Sequence, residues 1–320
     1  MRVGRAVIAV DDLLPMHRAQ IAQELEERFE VVFVPEKQHD WDSALHGATI
    51  VFGWPDPHAL FRSGVLFHQL PSSGYDAYAA TFPDRRTDFA LANARGVCAR
   101  AVAEHAISMM FAFARGVHVH DRQRREHIWR RMERYDLIFG KTLCVIGMGA
   151  IGTSLAHMGK ALGMCVLAVT RSGQAVGCAD RTFALHNLDS ALSEADHVVI
   201  TLPALPGNAA LFTAAEFAWM KRGSYLYSVG RGSHIDYAAL RRALRDGPLR
   251  GAGLDVFAEE PLPADDPLWD EPNVLISPHA GGRFAGEYDA LVALFLRNVR
   301  RFLAHEPVEN VVLGTAVPLR

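Results

Sequence analysis

Cysteine is scarce in this sequence, with only Cys98, Cys144, Cys165 and Cys178 among 320 residues and no CxxC pair. That spacing supplies neither a disulfide framework nor a recognisable metal-ligand pattern. Cys144 and Cys165 fall in apolar runs that read as buried strands, so reduced core thiols of a cytoplasmic protein are expected. Long apolar runs are also missing, and none reaches the length that a bilayer demands. The opening MRVGRAVIAVDDLL has a short apolar run that meets Asp11 and Asp12, with no small-residue cleavage site, so it does not read as a signal peptide. No excess of one charge sign exists: the net charge is −3, which leaves no electrostatic footprint for nucleic acid or an anionic membrane. Internal repeats and low-complexity tracts are absent.

What is present is an ordinary globular composition, 50% hydrophobic and 22% charged, in a chain long enough for two domains. Short apolar runs alternate with polar helical stretches through the first hundred residues. Ala6–Val10, Val31–Val34, Thr49–Gly53 and Val65–Leu70 read as strands, and His17–Phe29 as a helix. Strands alternating with helices predict an α/β fold with parallel sheets covered on both faces. Residues 101–115, AVAEHAISMMFAFAR, are apolar nearly all round, which predicts a helix buried inside the subunit or against a partner. The charged stretch that follows carries His118, His120 and His127. Their spacing is loose and no carboxylate or cysteine completes a ligand set, so a solvated or subunit-facing helix is expected there and no metal.

The sharpest local signal begins at Lys141. KTLCVI reads as a strand, GMGAIG follows, IGTSLAHMGKAL reads as a helix stopped by Gly163, and MCVLAVT is the next strand. Gly147, Gly149 and Gly152 form a G-x-G-x-x-G pattern in the order that a dinucleotide site requires. The first glycine permits the turn, the second lets backbone approach a pyrophosphate, and the third lets helix and strand pack closely. The phosphates then lie at the helix N-terminus, on Met148, Gly149, Ala150 and Ile151. An NAD site usually places Asp or Glu about twenty residues on, to bind the ribose 2′-hydroxyl. Here the second strand ends in Val169-Thr170-Arg171-Ser172, with no acid. A guanidinium and a hydroxyl suit the 2′-phosphate of NADP, so NADPH is the expected cofactor, with NADH an alternative.

Further segments read as hydrophobic strands ending in a polar group and a turn: Asp196–Pro203, Tyr225–Gly232, Gly251–Leu262 and Asn273–Gly282. In an open α/β sheet, ligands bind outside the carboxyl ends of the strands. Arg231, Glu260 and His279 fall in such places. A 2-oxo acid needs a cation for its carboxylate and a proton donor for its carbonyl oxygen. Arg231 suits the first need and His279 the second. A carboxylate such as Glu260 beside the imidazole would fix its tautomer and favour its charged form.

These motifs, taken together and in order, resemble the D-isomer-specific 2-hydroxyacid dehydrogenases, including their glyoxylate and hydroxypyruvate reductase branch. The resemblance runs through the Asn93 turn, Val102-Ala103-Glu104-His105, the glycine fingerprint and ADHVVITLP. It continues in the GRG segment, GAGLDVFAEEPLP, Pro267-Leu268-Trp269 and SPHAGG. It implies that Arg231, Glu260 and His279 are the catalytic residues of a 2-oxo acid reductase. It also implies that Asp255 hydrogen-bonds the nicotinamide carboxamide, that Pro203 and Gly230 line the cofactor, and that the Ser73-Gly74 turn holds the substrate carboxylate. The implied architecture is two Rossmann-like and flavodoxin-like α/β domains with the active site in the cleft between them. Residues 1–98, completed by 291–320, would bind substrate, and 99–290 would bind the dinucleotide. A cytoplasmic homodimer with the 101–115 helix at its interface is implied too.

Departures from the family pattern are Ser228 where Asn is common, Gly230 where Ala or Ser is usual, and Pro206-Gly207-Asn208 after the strand proline. The segment GWPDP carries Trp54, which resembles a tryptophan-proline loop of the small-substrate reductases. A bulky indole there is expected to limit substrate size. Two other functions fit the scaffold. One is formate or phosphite oxidation, although formate enzymes pair their histidine with glutamine where this chain has Glu260. The other is a nicotinamide-sensing corepressor, which the lack of basic or disordered tails makes less attractive.

Overall fold

The structure is a computed structural model, and it describes residues 4–37, 39–82, 88–204 and 210–315. The chain folds into two compact units, Met1–Cys98 with Phe284–Arg320, and Ala99–Arg283. Within Met1–Cys98 lie β1 (Gly4–Ala9), α1 (Pro15–Leu25), β2 (Phe29–Phe33), α2 (Trp41–Ala44), β3 (Ala48–Gly53), α3 (Pro57–Arg62), β4 (Phe67–Gln69), α4 (Asp76–Thr81) and β5 (Ala90–Ala92). The second unit opens with α5 (Ala99–Ala114) and α6 (Val117–Arg125). It continues through β6 (Thr142–Ile146), α7 (Ala150–Ala161), β7 (Cys165–Thr170), β8 (Arg181–Ala184), α8 (Leu188–Glu194) and β9 (His197–Ile200). Then come α9 (Ala214–Trp219), β10 (Ser224–Ser228), α10 (Tyr237–Arg245), β11 (Leu249–Leu254) and β12 (Val274–Ile276). The chain returns to the first unit with α11 (Glu287–Leu303) and β13 (Val311–Gly314).

The first unit's six-stranded sheet runs β13-β5-β4-β3-β1-β2. All pairings are parallel except β13 against β5. Apart from β13 this is the flavodoxin-type order 2-1-3-4-5. Its inner strands β1, β3, β4 and β5 are largely buried on both faces, as parallel strands demand, while the edge strands β2 and β13 are less so. Ile8, Phe52 and Phe67 pack on α11, where Phe295 stacks on Phe52 at 4.5 Å, and Val7, Val51 and Leu91 pack toward α3 and α4. The second unit's seven-stranded sheet runs β12-β11-β10-β9-β6-β7-β8 and is wholly parallel. Its order is the dinucleotide-binding one, with β6 and β9 flanking the switch point where ligands bind.

Several expected bounds shift for identifiable reasons. The first helix is Pro15–Leu25 and not His17–Phe29, because Phe29 is fully buried as the first residue of β2. Proline opens that helix, and His17 Nδ1 accepts the Leu14 N–H at 3.2 Å, a cap supplied by the third helical residue. The Val65–Leu70 strand contracts to Phe67–Gln69. The charged segment after residue 115 is helical only over Val117–Arg125, with an arm without regular structure beyond it. The thiols are free, but Cys144 alone is core; Cys165 is exposed because it starts β7 at the sheet's rim. Helix α5 buries Val102, Ala103, Ala106, Met109, Met110 and Phe113 against its own unit, leaving Phe111 exposed. No helix among the described residues is long and apolar enough to cross a membrane.

Candidate active site

The glycine turn joins β6 to α7, and each glycine has a different steric reason. Gly147 has φ +98, and a side chain there would meet Leu202 Cδ2 at 2.9 Å and Thr201 Oγ1 at 3.0 Å. A Cβ on Gly152 would stand 2.0 Å from the Gly147 carbonyl oxygen and 3.2 Å from Val145, so helix and strand touch only without it. Gly149 differs: a Cβ there meets nothing within 4 Å and would project into open space. It is the N-cap of α7, and no side chain caps the helix. The unsatisfied N–H groups and the dipole therefore face an open cradle, which fits a pyrophosphate. Thr201, just past β9, fixes the turn by donating to the Gly147 carbonyl at 2.8 Å. In the sequence, Thr201 has no signal beyond its place before Leu202-Pro203.

Arg171 and Ser172 follow β7 and are both exposed. Arg171 has no hydrogen bond or ion pair among the described residues, and Ser172 Oγ accepts the Gln174 N–H at 3.3 Å. That guanidinium, and the Ser172 hydroxyl whose proton is still available to donate, fit a 2′-phosphate. Pro203 is exposed, whereas Gly230 is buried. Gly230 replaces the more usual Ala or Ser because a Cβ would lie 2.5 Å from the Leu202 carbonyl oxygen. Pro206, Gly207 and Asn208 lie outside the described residues.

Glu260 and His279 come together. His279 Nδ1 lies 2.7 Å from Glu260 Oε2, and the other carboxylate oxygen accepts the Phe257 N–H at 2.8 Å. A carboxylate oxygen only accepts, so Nδ1 carries the hydrogen and Nε2 is the ring nitrogen left for other work. The His279 side chain is 53% exposed. Its backbone is left-handed, φ 52, uncommon for a non-glycine residue. Arg231 is half-buried, and its Nη1 donates to the Gly230 carbonyl at 2.8 Å. Beside it His234 is fully buried, and burial, with the Arg231 charge adding to it, holds its imidazole below the ordinary histidine range.

Asp255 follows β11 and is 2% exposed. Its carboxylate accepts from Ser277 Oγ at 2.6 Å, Ala280 N–H at 2.9 Å and Gly281 N–H at 2.9 Å. Its carbonyl accepts the His279 N–H at 2.8 Å. The residue expected to face a nicotinamide is thus the anchor of the SPHAGG loop, with most of its acceptor capacity used inside the protein. Ser277 and His105 were not singled out by sequence, although they sit in SPHAGG and VAEH. His105 Nε2 lies 2.8 Å from Ser277 Oγ.

In the first unit, Ser72–Gly74 form a turn beyond β4. Ser72 Oγ donates to the Gly74 carbonyl at 2.9 Å, and Asn93 Nδ2 donates to the Ser73 carbonyl at 2.7 Å. The Ser73 and Gly74 N–H groups have no hydrogen bond among the described residues. Trp54 is half-buried against both cores of this unit, and its indole N–H donates to Ser72 Oγ at 3.4 Å. Among the described residues no group of three His, Cys, Asp or Glu side chains could hold a metal ion. His118 instead contacts the Ala112 carbonyl at 3.0 Å, and His120 contacts Gln123 and Tyr135.

Residues 107–281 match the family described as D-isomer specific 2-hydroxyacid dehydrogenase, NAD binding domain. A D-3-phosphoglycerate dehydrogenase of Mycobacterium tuberculosis is 35% identical over 234 residues, 70% of this chain but 44% of that protein. The chain thus matches less than half of the length of that relative. A glycerate dehydrogenase of Methylorubrum extorquens is 34% identical over 262 residues, covering 76% of this chain and 80% of that one. Among solved structures, a D-isomer specific 2-hydroxyacid dehydrogenase family protein of Aeromonas salmonicida superposes with a TM-score of 0.83. It is 30% identical and covers 97% of this chain and 99% of its own. An NADPH-dependent glyoxylate/hydroxypyruvate reductase of Sinorhizobium meliloti, in complex with NADP and sulfate, gives 0.80 at 26% identity over 96% and 98% of the two chains. With the dinucleotide-type sheet, the glycine turn and this match over more than half of its length, the chain belongs to the D-isomer specific 2-hydroxyacid dehydrogenase family, whose members depend on NAD(P).

Proposed function

We propose that this protein reduces a small 2-oxo acid of the glyoxylate or hydroxypyruvate kind to the D-2-hydroxy acid, with NADPH as reductant. The observation that carries the reading is the 2.7 Å pairing of Glu260 with His279 Nδ1, which leaves Nε2 as the proton donor. With its pyrophosphate on the Gly149 cradle, bound NADPH would supply the hydride for the C2 carbon. His279 Nε2 gives the proton to the carbonyl oxygen as the carbonyl becomes a hydroxyl, and Glu260 stabilises the charged imidazole and fixes its tautomer. Arg231 orients the substrate and polarises its carbonyl. In the first unit, the open Ser73 and Gly74 N–H groups suit a carboxylate, and Trp54 limits the room beside C3. Arg171 and Ser172 select the 2′-phosphate, and Asp255 and Pro203 border the nicotinamide. The free thiols support a cytoplasmic setting. Exposed Phe111 on the 101–115 helix, with exposed Val117, Trp129 and Phe139 beyond it, supports a homodimer that has that helix at its interface.

Assays of glyoxylate, hydroxypyruvate, pyruvate and phenylpyruvate against both cofactors test this function. The smaller oxo acids should win, and the preference for hydroxypyruvate over phenylpyruvate should fall in Trp54→Ala. Arg171→Ala should raise the KM for NADPH far more than that for NADH, since a lost charge-assisted contact costs roughly 1.5–3 kcal/mol, about ten- to a hundred-fold. His279→Ala should lose most turnover while still binding NADPH. Equal or better efficiency with NADH in the unmutated enzyme would overturn the cofactor assignment, and inactivity with every oxo acid would overturn the reaction.

A further inference from the structure

The SPHAGG loop is held by a one-way chain of hydrogen bonds that starts on a helix outside the catalytic set. Ser277 Oγ lies 2.6 Å from Asp255 Oδ1 and 2.8 Å from His105 Nε2. A hydroxyl owns one proton. The carboxylate can only accept, so that proton points to Asp255. Ser277 must then accept from His105, and His105 must carry its hydrogen on Nε2. The direction is set: α5 imidazole to serine hydroxyl to buried carboxylate. His105 Nε2 itself lies 3.5 Å from Asp255 Oδ1, near enough to bias the carboxylate without replacing the serine.

Downstream of Asp255 the chain ends on the backbone of the proton donor. The Asp255 carboxylate takes the N–H groups of Ala280 and Gly281, and its carbonyl takes the N–H of His279. These contacts hold His279 at φ 52, in the left-handed region that non-glycine residues visit infrequently. The loop has no slack there: a Cβ on Gly281 would lie 2.8 Å from Asp255 Oδ2 and 3.1 Å from His105 Cδ2. Glu260 orients the imidazole ring, whereas Asp255 orients the backbone that carries it.

We propose that His105 and Ser277 are positioning residues for the reaction. Acting through Asp255, they set the left-handed backbone of His279 and so aim Nε2. The proposal rests on the proposed role of His279 for its kinetic consequence, but its structural content stands apart. His105→Gln, His105→Asn, His105→Phe and Ser277→Ala test it. The Gln amide nitrogen occupies the reach of Nε2 and can donate to Ser277, whereas the Asn nitrogen falls short and Phe has no donor. We expect His105→Gln to keep near-normal kcat. His105→Asn, His105→Phe and Ser277→Ala should each lower kcat by about ten-fold or more, since a small misplacement of a reacting group is costly. KM for the oxo acid should change little. The double variant His105→Phe/Ser277→Ala should be no worse than either single one, because both break one chain.

A second readout needs no turnover: amide hydrogen exchange at Ala280 and Gly281 should quicken in Ser277→Ala and His105→Phe, and return to normal in His105→Gln. Normal kcat and normal exchange in His105→Phe and Ser277→Ala would overturn the proposal. So would a His105→Gln variant as impaired as His105→Phe. If the unmutated protein reduces no oxo acid, the proposed function fails while the exchange result still decides the chain of hydrogen bonds.

Discussion

Ser228 and Asn298 are both fully buried polar residues, yet they should respond to substitution in opposite ways. Asn298 is satisfied on every side: Nδ2 donates to Gln69 Oε1 at 2.8 Å and to the Glu309 carbonyl at 3.1 Å, and Oδ1 accepts the Glu309 N–H at 2.9 Å. Asn298→Leu strands those partners in a dry interior and should cost about 2–3 kcal/mol. Ser228 Oγ has no partner among the described residues. Its hydroxyl is desolvated for nothing, so Ser228→Ala should be neutral or stabilising by up to about 1 kcal/mol. Thermal midpoints of the two variants check both expectations; a clear loss in Ser228→Ala would show that the hydroxyl has a partner in solution. At this scale the sequence was legible for residue types and not for partners. The Ser and Gly departures at 228 and 230 stand out by eye, but that Gly230 must lack a Cβ follows only from its approach to the Leu202 carbonyl. Likewise Arg231, Glu260 and His279 were readable as chemistry, while His105 and Ser277 were not. Nothing local links residues 105, 255 and 277 until the strands of the sheet align them.

Elements whose rules are local were read best. The strand, glycine turn, helix and strand of β6-α7-β7 appear in the order expected, because turn sterics and helix capping act over a few residues. The α6 helix is shorter than its charge pattern predicts: beyond Arg125 the chain turns at His127, φ 55, and Tyr135 packs back on His120. Edge strand β13 escaped notice, for its pairing with β5 spans most of the chain. The α7 entrance also yields a discriminating prediction. Gly152→Ala puts a methyl 2.0 Å from the Gly147 carbonyl oxygen, so it should lower thermal stability and NADPH affinity together. Gly149→Ala meets nothing within 4 Å and has φ −75, which alanine adopts freely. It should leave the thermal midpoint of the free protein unchanged and still weaken NADPH, by about ten-fold or more, by filling the space the pyrophosphate needs. Calorimetric titration of both variants separates the cases. Undiminished NADPH affinity in Gly149→Ala would remove the cradle from cofactor binding.

At the scale of the whole molecule, each unit buries a histidine that should make it sensitive to mild acid. His68 in the first unit is fully buried; its Nε2 contacts the Gly53 carbonyl at 2.9 Å and its Nδ1 has no partner among the described residues. Burial pushes its imidazole down to about 4. His197 in the second unit lies beside the Tyr225 ring at 5.3 Å, with Nδ1 3.1 Å from the Tyr227 hydroxyl, and burial pushes it down to about 4 as well. In the unfolded chain both return to the ordinary value of about 6.5. Between those two values the unfolded chain binds protons that the folded chain refuses, so stability is fully present above about pH 6.5 and drains as pH falls toward 4. Each histidine removes about 1.4 kcal/mol per pH unit within that window. The carboxylates held low by hydrogen bonds or ion pairs, such as Glu271 between Arg241 and Arg245, lose their contribution only at lower pH, so the two effects are separable. The thermal midpoint should therefore fall between pH 7.5 and pH 5.0. The fall should be smaller in His68→Gln/His197→Gln, whose amides do not titrate, even if that variant is less stable at pH 7.5. A midpoint indifferent to pH across this window, or an equal fall in the double variant, would mean that these buried imidazoles do not govern the protein's response to acid.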